Sequence, residues 1–134
     1  MKARVRMPDP LVLTWGIPAS VQEPLGQLFQ ELNLPLRQVQ DQEMGQTVGY
    51  LAGFPGFSFQ ESGEVPQDIP ELGVLCMCAL QSGQVDRLLQ GLRQKGISVP
   101  LKAVVTPTNQ KWTFAQLVRE LQREHEAFAR KGEP

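Results

Sequence analysis

The chain has 134 residues, of which 41% are hydrophobic and 20% are charged, and its formal net charge is -1. That length suits a single domain, and the composition is typical of a globular protein rather than a disordered or fibrous one. Because basic and acidic residues are interleaved and nearly balance, the sequence lacks the basic surface that nucleic acid or an anionic membrane would require.

The apolar segments are too short for a membrane protein. A helix that spans a bilayer needs about 20 consecutive apolar residues, and no segment of the chain approaches that length. The first apolar run, LVLTWGI at 11–17, stops at Pro18 and has neither the length nor the cleavage site of a signal peptide. We therefore expect a cytoplasmic protein whose two cysteines stay reduced.

The chain begins with a predicted tail, strand and helix. Residues 1–10 are polar, whereas the continuous apolar run at 11–17 is typical of a strand that is covered on both faces. Ser20 and Glu23 then have the spacing of a capping box. The apolar stripe that follows predicts a helix that ends before Pro35.

Weaker elements complete the first half. Residues 36–40 (LRQVQ) form a shorter and more polar strand candidate, and residues 47–53 favour one or two helical turns that two glycines weaken. Residues 54–72 are dense in proline and glycine, which predicts a long connection with little regular structure.

The second half repeats this order with clearer signals. GVLCMCAL at 73–80 is the second continuous apolar strand. Ser82 can cap the next helix, and Gly96 is a suitable residue at which to end it. LKAVVT at 101–106 is rich in β-branched residues and is a second short strand.

The last helix has the best-marked beginning. Thr113 and Gln116 have the spacing of a capping box, and Trp112 with Leu117 has the spacing of a hydrophobic staple. The helix then carries an apolar stripe that must be buried, formed by Phe114, Leu117, Val118, Leu121 and Phe128.

The two halves align as an internal repeat within one domain, residues 1–134. Two strand-helix-strand-helix units are predicted at 11–53 and 73–128, joined by the connection at 54–72. The pattern predicts an α/β protein, with an α+β fold as a possibility.

The strand types predict how the sheet is ordered. In a mixed four-stranded sheet, the apolar strands 11–17 and 73–80 should be central and the strands at 36–40 and 101–106 should be edges. The first helix of each unit then covers one face and the last helix covers the other. A ferredoxin-like sheet and a sheet with each unit's strands adjacent both satisfy this arrangement.

The cysteines, the histidine and the acidic residues do not predict chemistry. Cys76 and Cys78 alternate on one apolar strand, so they point to one face and suit the core. His125 lies between two glutamates on a solvated helix end. The acidic residues of the connection fit no calcium-loop spacing: Glu61, Glu64, Asp68 and Glu71. We therefore predict no metal and no cofactor.

Polar groups are concentrated in the turn between the last strand and the last helix. Thr106, Thr108 and Asn109 lie where free backbone amides and the helix dipole favour an anion. Lys102 precedes them, and Arg37 is assigned as its counterpart in the first repeat. The same residues also suit a purely structural turn on a protected edge strand.

The sequence PLKAVVTPTN, followed by a tryptophan and an amphipathic helix, resembles a small bacterial domain family of unknown function with a PLKAVLTxTNxxW-like motif. The resemblance covers residues 73–128 and implies a bacterial source and a similar architecture, but no activity. It rests on one run of matching positions: Leu101, Lys102, Ala103, Val104, Thr106, Thr108, Asn109 and Trp112.

Two functional hypotheses remain open from the sequence. The first is a non-catalytic binding or regulatory module that recognises a small anion or a protein partner at the turn 106–113, with homo-oligomerisation through an edge strand as a possibility. Its ligand-binding residues are Lys102, Thr106, Thr108, Asn109 and Trp112. The alternative is a small enzyme that uses Lys102 with Thr106, Thr108 or Asn109.

Overall fold

The structure is a computed structural model that describes residues 9–61 and 73–131. Its elements are β1 (Leu11–Trp15), α1 (Ala19–Leu32), β2 (Leu36–Gln38), α2 (Val48–Leu51), β3 (Val74–Cys78), α3 (Ser82–Gln94), β4 (Leu101–Val104) and α4 (Phe114–Lys131). Short 3-10 turns precede α2 at Asp41–Glu43 and α4 at Asn109–Lys111. Most of the predicted tail and residues 62–72 of the predicted connection lie outside the described residues.

The four strands form one mixed sheet in the order β2-β1-β3-β4. Strands β1 and β2 are parallel, β1 and β3 are antiparallel, and β3 and β4 are parallel. The prediction of an α/β fold with the two apolar strands at the centre is confirmed. Of the two sheets compatible with the sequence, the structure has the one in which each half keeps its strands adjacent, and not the ferredoxin-like one.

Helices cover both faces of the sheet, as the apolar central strands require. On one face, α1 and α3 pack over Val12, Leu75 and Met77. On the other face, α2 and α4 pack over Leu13 and Cys76. Five of the apolar side chains that the helices of the second face contribute are at most 2% exposed: Val48, Leu51, Phe114, Leu117 and Val118.

The two halves meet at the beginnings of α2 and α4. Thr47 and Thr113 pair across an isolated antiparallel bridge. The Val48 amide donates to the Trp112 carbonyl and the Phe114 amide donates to the Gln46 carbonyl, each at 2.9 Å. The same order of elements and this reciprocal contact are what a duplication would produce, and the internal repeat itself stays a prediction.

Two of the predicted helix caps are wrong. Helix α1 begins after Pro18, so Ser20 lies inside its first turn and no side chain caps it. Helix α3 has Gln81 at its N-cap, where the Gln81 amide donates to Gln84 Oε1 at 2.8 Å, so Ser82 is already helical. The Gln84 side chain thus reaches back to the N-cap amide, which is one half of a capping box.

Helix α4 extends past the core that it covers. Its buried side chains lie in the first turns, residues 123–128 are all exposed, and Phe128 is 80% exposed. The prediction that Phe128 belongs to the buried stripe is therefore wrong. The helical spacing was correct, but the stripe runs beyond the sheet.

The Thr113 cap gives the first stability test. The Thr113 hydroxyl accepts from the Gln116 amide at 3.1 Å. Replacing Thr113 with Ala should lower the free energy of unfolding by about 1 kcal/mol because a first-turn amide loses its acceptor. Urea unfolding measures this change, and Thr108→Ala is the control because the exposed Thr108 makes no side-chain cap. Equal effects of both substitutions would contradict the assignment.

The strand-to-helix turns of the two halves share a left-handed residue. Gly16 follows β1 with a φ of 68°, and Ala79 follows β3 with a φ of 60°. Glycine adopts this conformation without strain, whereas alanine is strained in it because its Cβ comes too close to the backbone carbonyl. The second turn therefore stores backbone strain that the first turn avoids.

A reciprocal pair of substitutions tests this strain. Gly16→Ala should destabilise the protein by about 1 kcal/mol, and Ala79→Gly should be neutral or stabilise it by up to about 1 kcal/mol. Chemical denaturation of both variants gives the two signs. Destabilisation by Ala79→Gly as large as that by Gly16→Ala would show that Ala79 is not strained.

Candidate functional site

The predicted turn after β4 is held by its own side chains. The Thr106 amide donates to Asn109 Oδ1 at 2.8 Å, and the Asn109 amide donates to Thr106 Oγ1 at 3.1 Å. Asn109 Nδ2 also donates to the Val104 carbonyl at 3.2 Å. These polar groups satisfy the backbone of the turn, which is the structural role that threonine and asparagine have in many turns.

Lys102 is not brought together with this turn. Its Nζ donates to the Val99 carbonyl at 2.8 Å, before β4 begins, whereas Thr106 lies beyond the other end of the strand. Four residues of a strand span about 13 Å. The lysine therefore lies apart from the threonine and asparagine groups with which the enzyme hypothesis combined it.

The assignment of Arg37 as the counterpart of Lys102 is wrong. Lys102 pairs with Leu75 and shares its α1–α3 face, whereas Arg37 pairs with Leu13 on the opposite face. There Arg37 donates to the Leu51 carbonyl at 2.7 Å and forms an ion pair with Glu43 at 2.6 Å. The strand register, which sequence alignment did not resolve, separates the two cations.

The other two predicted site residues differ in environment. Trp112 is half-buried against the core of the α2–α4 face, and its carbonyl holds α2 through the Val48 amide. Thr108 is exposed. The structure thus brings Thr106 and Asn109 into direct contact and leaves Lys102 elsewhere, and a ligand-binding role for the set stays a prediction.

A cavity of about 570 Å³ lies at the carboxyl ends of β1 and β2. It is lined by residues 14–19, which end β1 and begin α1, by Gln22 of α1, and by residues 38–42, which end β2 and follow it. We name it the β1–β2 cavity. In sheets with parallel strands, the space outside the carboxyl ends is where ligands most often bind, because strand ends and helix beginnings leave backbone groups there.

Several polar side chains of the cavity are fixed by hydrogen bonds. Trp15 Nε1 donates to Asp41 Oδ1 at 3.0 Å, and Gln22 Nε2 donates to the Ile17 carbonyl at 3.1 Å. The Gln40 carbonyl accepts from the Glu43 amide at 2.8 Å, while the Gln40 amide donates to Glu43 Oε1 at 2.9 Å. These bonds fix the side chains of Trp15, Asp41 and Gln22 and the backbone of Gln40.

The sequence interpretation missed this cavity. Its signal was the polar segment QVQDQ at 38–42, at the end of the edge strand, which contains a single ionisable residue, Asp41, and no motif associated with catalysis. The cavity forms because the fold brings Trp15 and Gln22, from a different part of the chain, close to this segment. The cavity residues 38–42 nevertheless lie at the end of an edge strand, and the site predicted at 106–113 lies at the end of the other edge strand.

The described residues contain neither a group of side chains that could bind a metal ion nor a helix that could span a membrane. Residues 9–61 and 73–131 contain no cluster of histidine, cysteine and acidic residues that fits a metal ion, and His125 is exposed. Three of the four acidic residues of the connection, Glu64, Asp68 and Glu71, lie outside these ranges. No helix in the same ranges is long and apolar enough to cross a membrane.

The cysteines lie side by side in the core. Cys76 and Cys78 are fully buried and unbridged, and Cys78 Sγ donates to the Cys76 carbonyl at 3.5 Å. A hydrogen bond with Cys78, burial and the neighbouring thiol all raise the pKa of Cys76 above its ordinary value of 9.0. A thiol that stays protonated is a poor nucleophile and metal ligand.

This raised pKa predicts a loss of stability in alkali. The folded pKa exceeds the unfolded one, so stability is complete below the ordinary value of 9.0 and falls as the pH rises above it. Each further pH unit should cost about 1.4 kcal/mol through this thiol. Denaturation curves measured at several pH values above 9.0 should show that the free energy of unfolding falls more steeply with pH in the native protein than in Cys76→Val. Equal slopes in the two proteins would contradict the raised pKa of Cys76.

The comparison with known families matches the second half of the chain. Residues 74–128 match the model of a domain of unknown function (DUF3783). This match confirms the predicted resemblance to a domain family of unknown function over nearly the same residues. The matched segment contains β3 to α4 and the PLKAVVTPTN motif, whereas the β1–β2 cavity lies before it.

The other two comparisons gave no match, either among curated proteins or among solved structures. The family description carries no activity. The functional argument therefore rests on the geometry of the cavity.

Proposed function

We propose that this protein is a non-catalytic binding module and that its small-molecule site is the β1–β2 cavity. The observation that carries the proposal is the position of this cavity, of about 570 Å³, at the carboxyl ends of two parallel strands. Small-molecule sites commonly have volumes of about 300–1,000 Å³ and a few oriented polar groups on a rigid frame. The fixed side chains of Trp15, Asp41 and Gln22 provide such groups.

The chemistry of the lining favours binding over catalysis. Asp41 is its single ionisable side chain, and one oxygen of this exposed carboxylate already accepts from Trp15. General acid–base or nucleophilic catalysis needs an activated group with a partner that tunes its pKa. The glutamine amides around Asp41 can orient a ligand by hydrogen bonds but do not exchange protons near neutral pH.

The proposal keeps the predicted class of function and moves the site. The groups of the turn 106–113 are occupied by bonds within the turn, which leaves fewer of them for a ligand. We do not propose that two copies pair through β4. Asn109 already donates a hydrogen bond to the Val104 carbonyl, and the charged Lys102 on this edge strand disfavours pairing with a second strand. A cytoplasmic location and a bacterial source remain parts of the proposal.

A fragment screen tests the proposed site. Small polar molecules at millimolar concentration should shift the amide resonances of Gln38 to Gln42 and the indole resonance of Trp15. Ala19→Phe places a large side chain in the cavity wall at an exposed helix position and should abolish these shifts without loss of stability. Binding in the cavity should also change the fluorescence of a Trp112→Phe variant, in which Trp15 is the remaining tryptophan.

The matched control is Ala127→Phe. Ala127 is also an exposed helical alanine, but it lies on the part of α4 that extends past the core. It should leave ligand binding unchanged. Ligand shifts that survive Ala19→Phe, or that fall only on residues 106–113, would contradict the proposed site.

A further inference from the structure

The charges around the β1–β2 cavity restrict its ligand. The lining contains no lysine, arginine or histidine, and it contains one carboxylate, that of Asp41. Arg37, the cation on the adjacent edge strand, is not among the lining residues and is bound to Glu43 and the Leu51 carbonyl. An anion in the cavity would therefore meet a negative charge without a side-chain cation to balance it.

The other side of the cavity has the opposite polarity. Pro18 and Ala19, at the beginning of α1, belong to the lining. No side chain caps this helix, and its first turn contains no acidic residue. The Val21 amide donates to the Pro18 carbonyl at 2.9 Å, and the amides of Ala19 and Ser20 remain as hydrogen-bond donors at the positive end of the helix dipole, which suits an acceptor atom and disfavours a cation.

The glutamines of the lining add uncharged hydrogen-bond donors and acceptors. Gln22 uses its Nε2 to donate to the Ile17 carbonyl, so its remaining group for a ligand is mainly the acceptor Oε1. Gln40 is held through its backbone, because its amide donates to Glu43 Oε1 and its carbonyl accepts from the Glu43 amide, so its side-chain amide can offer a ligand a donor or an acceptor. The lining thus offers uncharged donors and acceptors, together with the second oxygen of Asp41.

We infer that the β1–β2 cavity takes a small dipolar ligand of zero net charge, whose acceptor end meets the beginning of α1 and whose donor end meets Asp41. The inference rests on the proposed function, because it names the ligand class of that site. Two kinds of molecule share this chemistry: uncharged carboxamides and zwitterionic amino acids. Phosphates, nucleotides and polyamines do not.

A set of five-carbon probes that differ only in their end groups tests the ligand class. Glutaramide is neutral, 5-aminopentanoate is zwitterionic, glutarate is anionic and pentane-1,5-diamine is cationic. At neutral pH, titration followed through the amide resonances of Gln38 to Gln42 should show that glutaramide or 5-aminopentanoate binds at least about tenfold more tightly than glutarate and the diamine, because a charge-assisted contact is worth about tenfold or more. Inorganic phosphate should bind no better than glutarate.

Asp41→Asn distinguishes the two dipolar sources. The asparagine can still accept from Trp15 and from a carboxamide, but it lacks the charge that an ammonium group needs. If the ligand is zwitterionic, this substitution should weaken 5-aminopentanoate binding at least about tenfold. If it is a carboxamide, glutaramide binding should change by less than about threefold. Asp86→Asn on the exposed face of α3 is the control and should change neither.

The outcomes separate this inference from the proposed function. Tightest binding by glutarate or phosphate in the cavity would overturn the ligand class and leave the binding module intact. A set of fragments that bind in the cavity and mostly carry a net charge would likewise overturn the ligand class but not the binding module. The absence of any fragment that shifts the cavity resonances and is blocked by Ala19→Phe would overturn the proposed function itself.

Discussion

The burial of β1 and β3 on both faces is the constraint on which the rest of the fold depends. All five residues of β3 are buried, as are four of the five residues of β1. Their backbone groups have no access to water and must be paired within the sheet on both edges. Strands β2 and β4 supply those outer pairs, and a layer of helices on each face supplies the apolar contacts.

The antiparallel pairing of β1 with β3 determines where sites can form. It directs the carboxyl ends of the two parallel pairs to opposite ends of the sheet. At one end, the segment after β2 and the beginning of α1 line the cavity. At the other end, the segment after β4 is tied to itself by Thr106 and Asn109. Related positions in the topology have therefore acquired different polar environments.

The sequence predicted the layers of this fold better than its candidate site. Continuous apolar runs are a direct consequence of burial on both faces, so the central strands could be identified, and the Thr113 hydroxyl caps its helix as its spacing indicated. Side-chain direction depends on strand register, which a shift of one residue reverses, and this reversal separated Arg37 from Lys102. The cavity depends on contact between distant segments, and the sequence indicated it only through the glutamine-rich segment at 38–42.

The bridge between Thr47 and Thr113 has a consequence for the order of folding. Helix α2 has four residues, too few to be stable in isolation, and its first amide is bound by the Trp112 carbonyl. During synthesis, α2 cannot reach its final bonding until the chain beyond Trp112 has been made. The first half therefore remains incomplete on the ribosome until the second half has been synthesised.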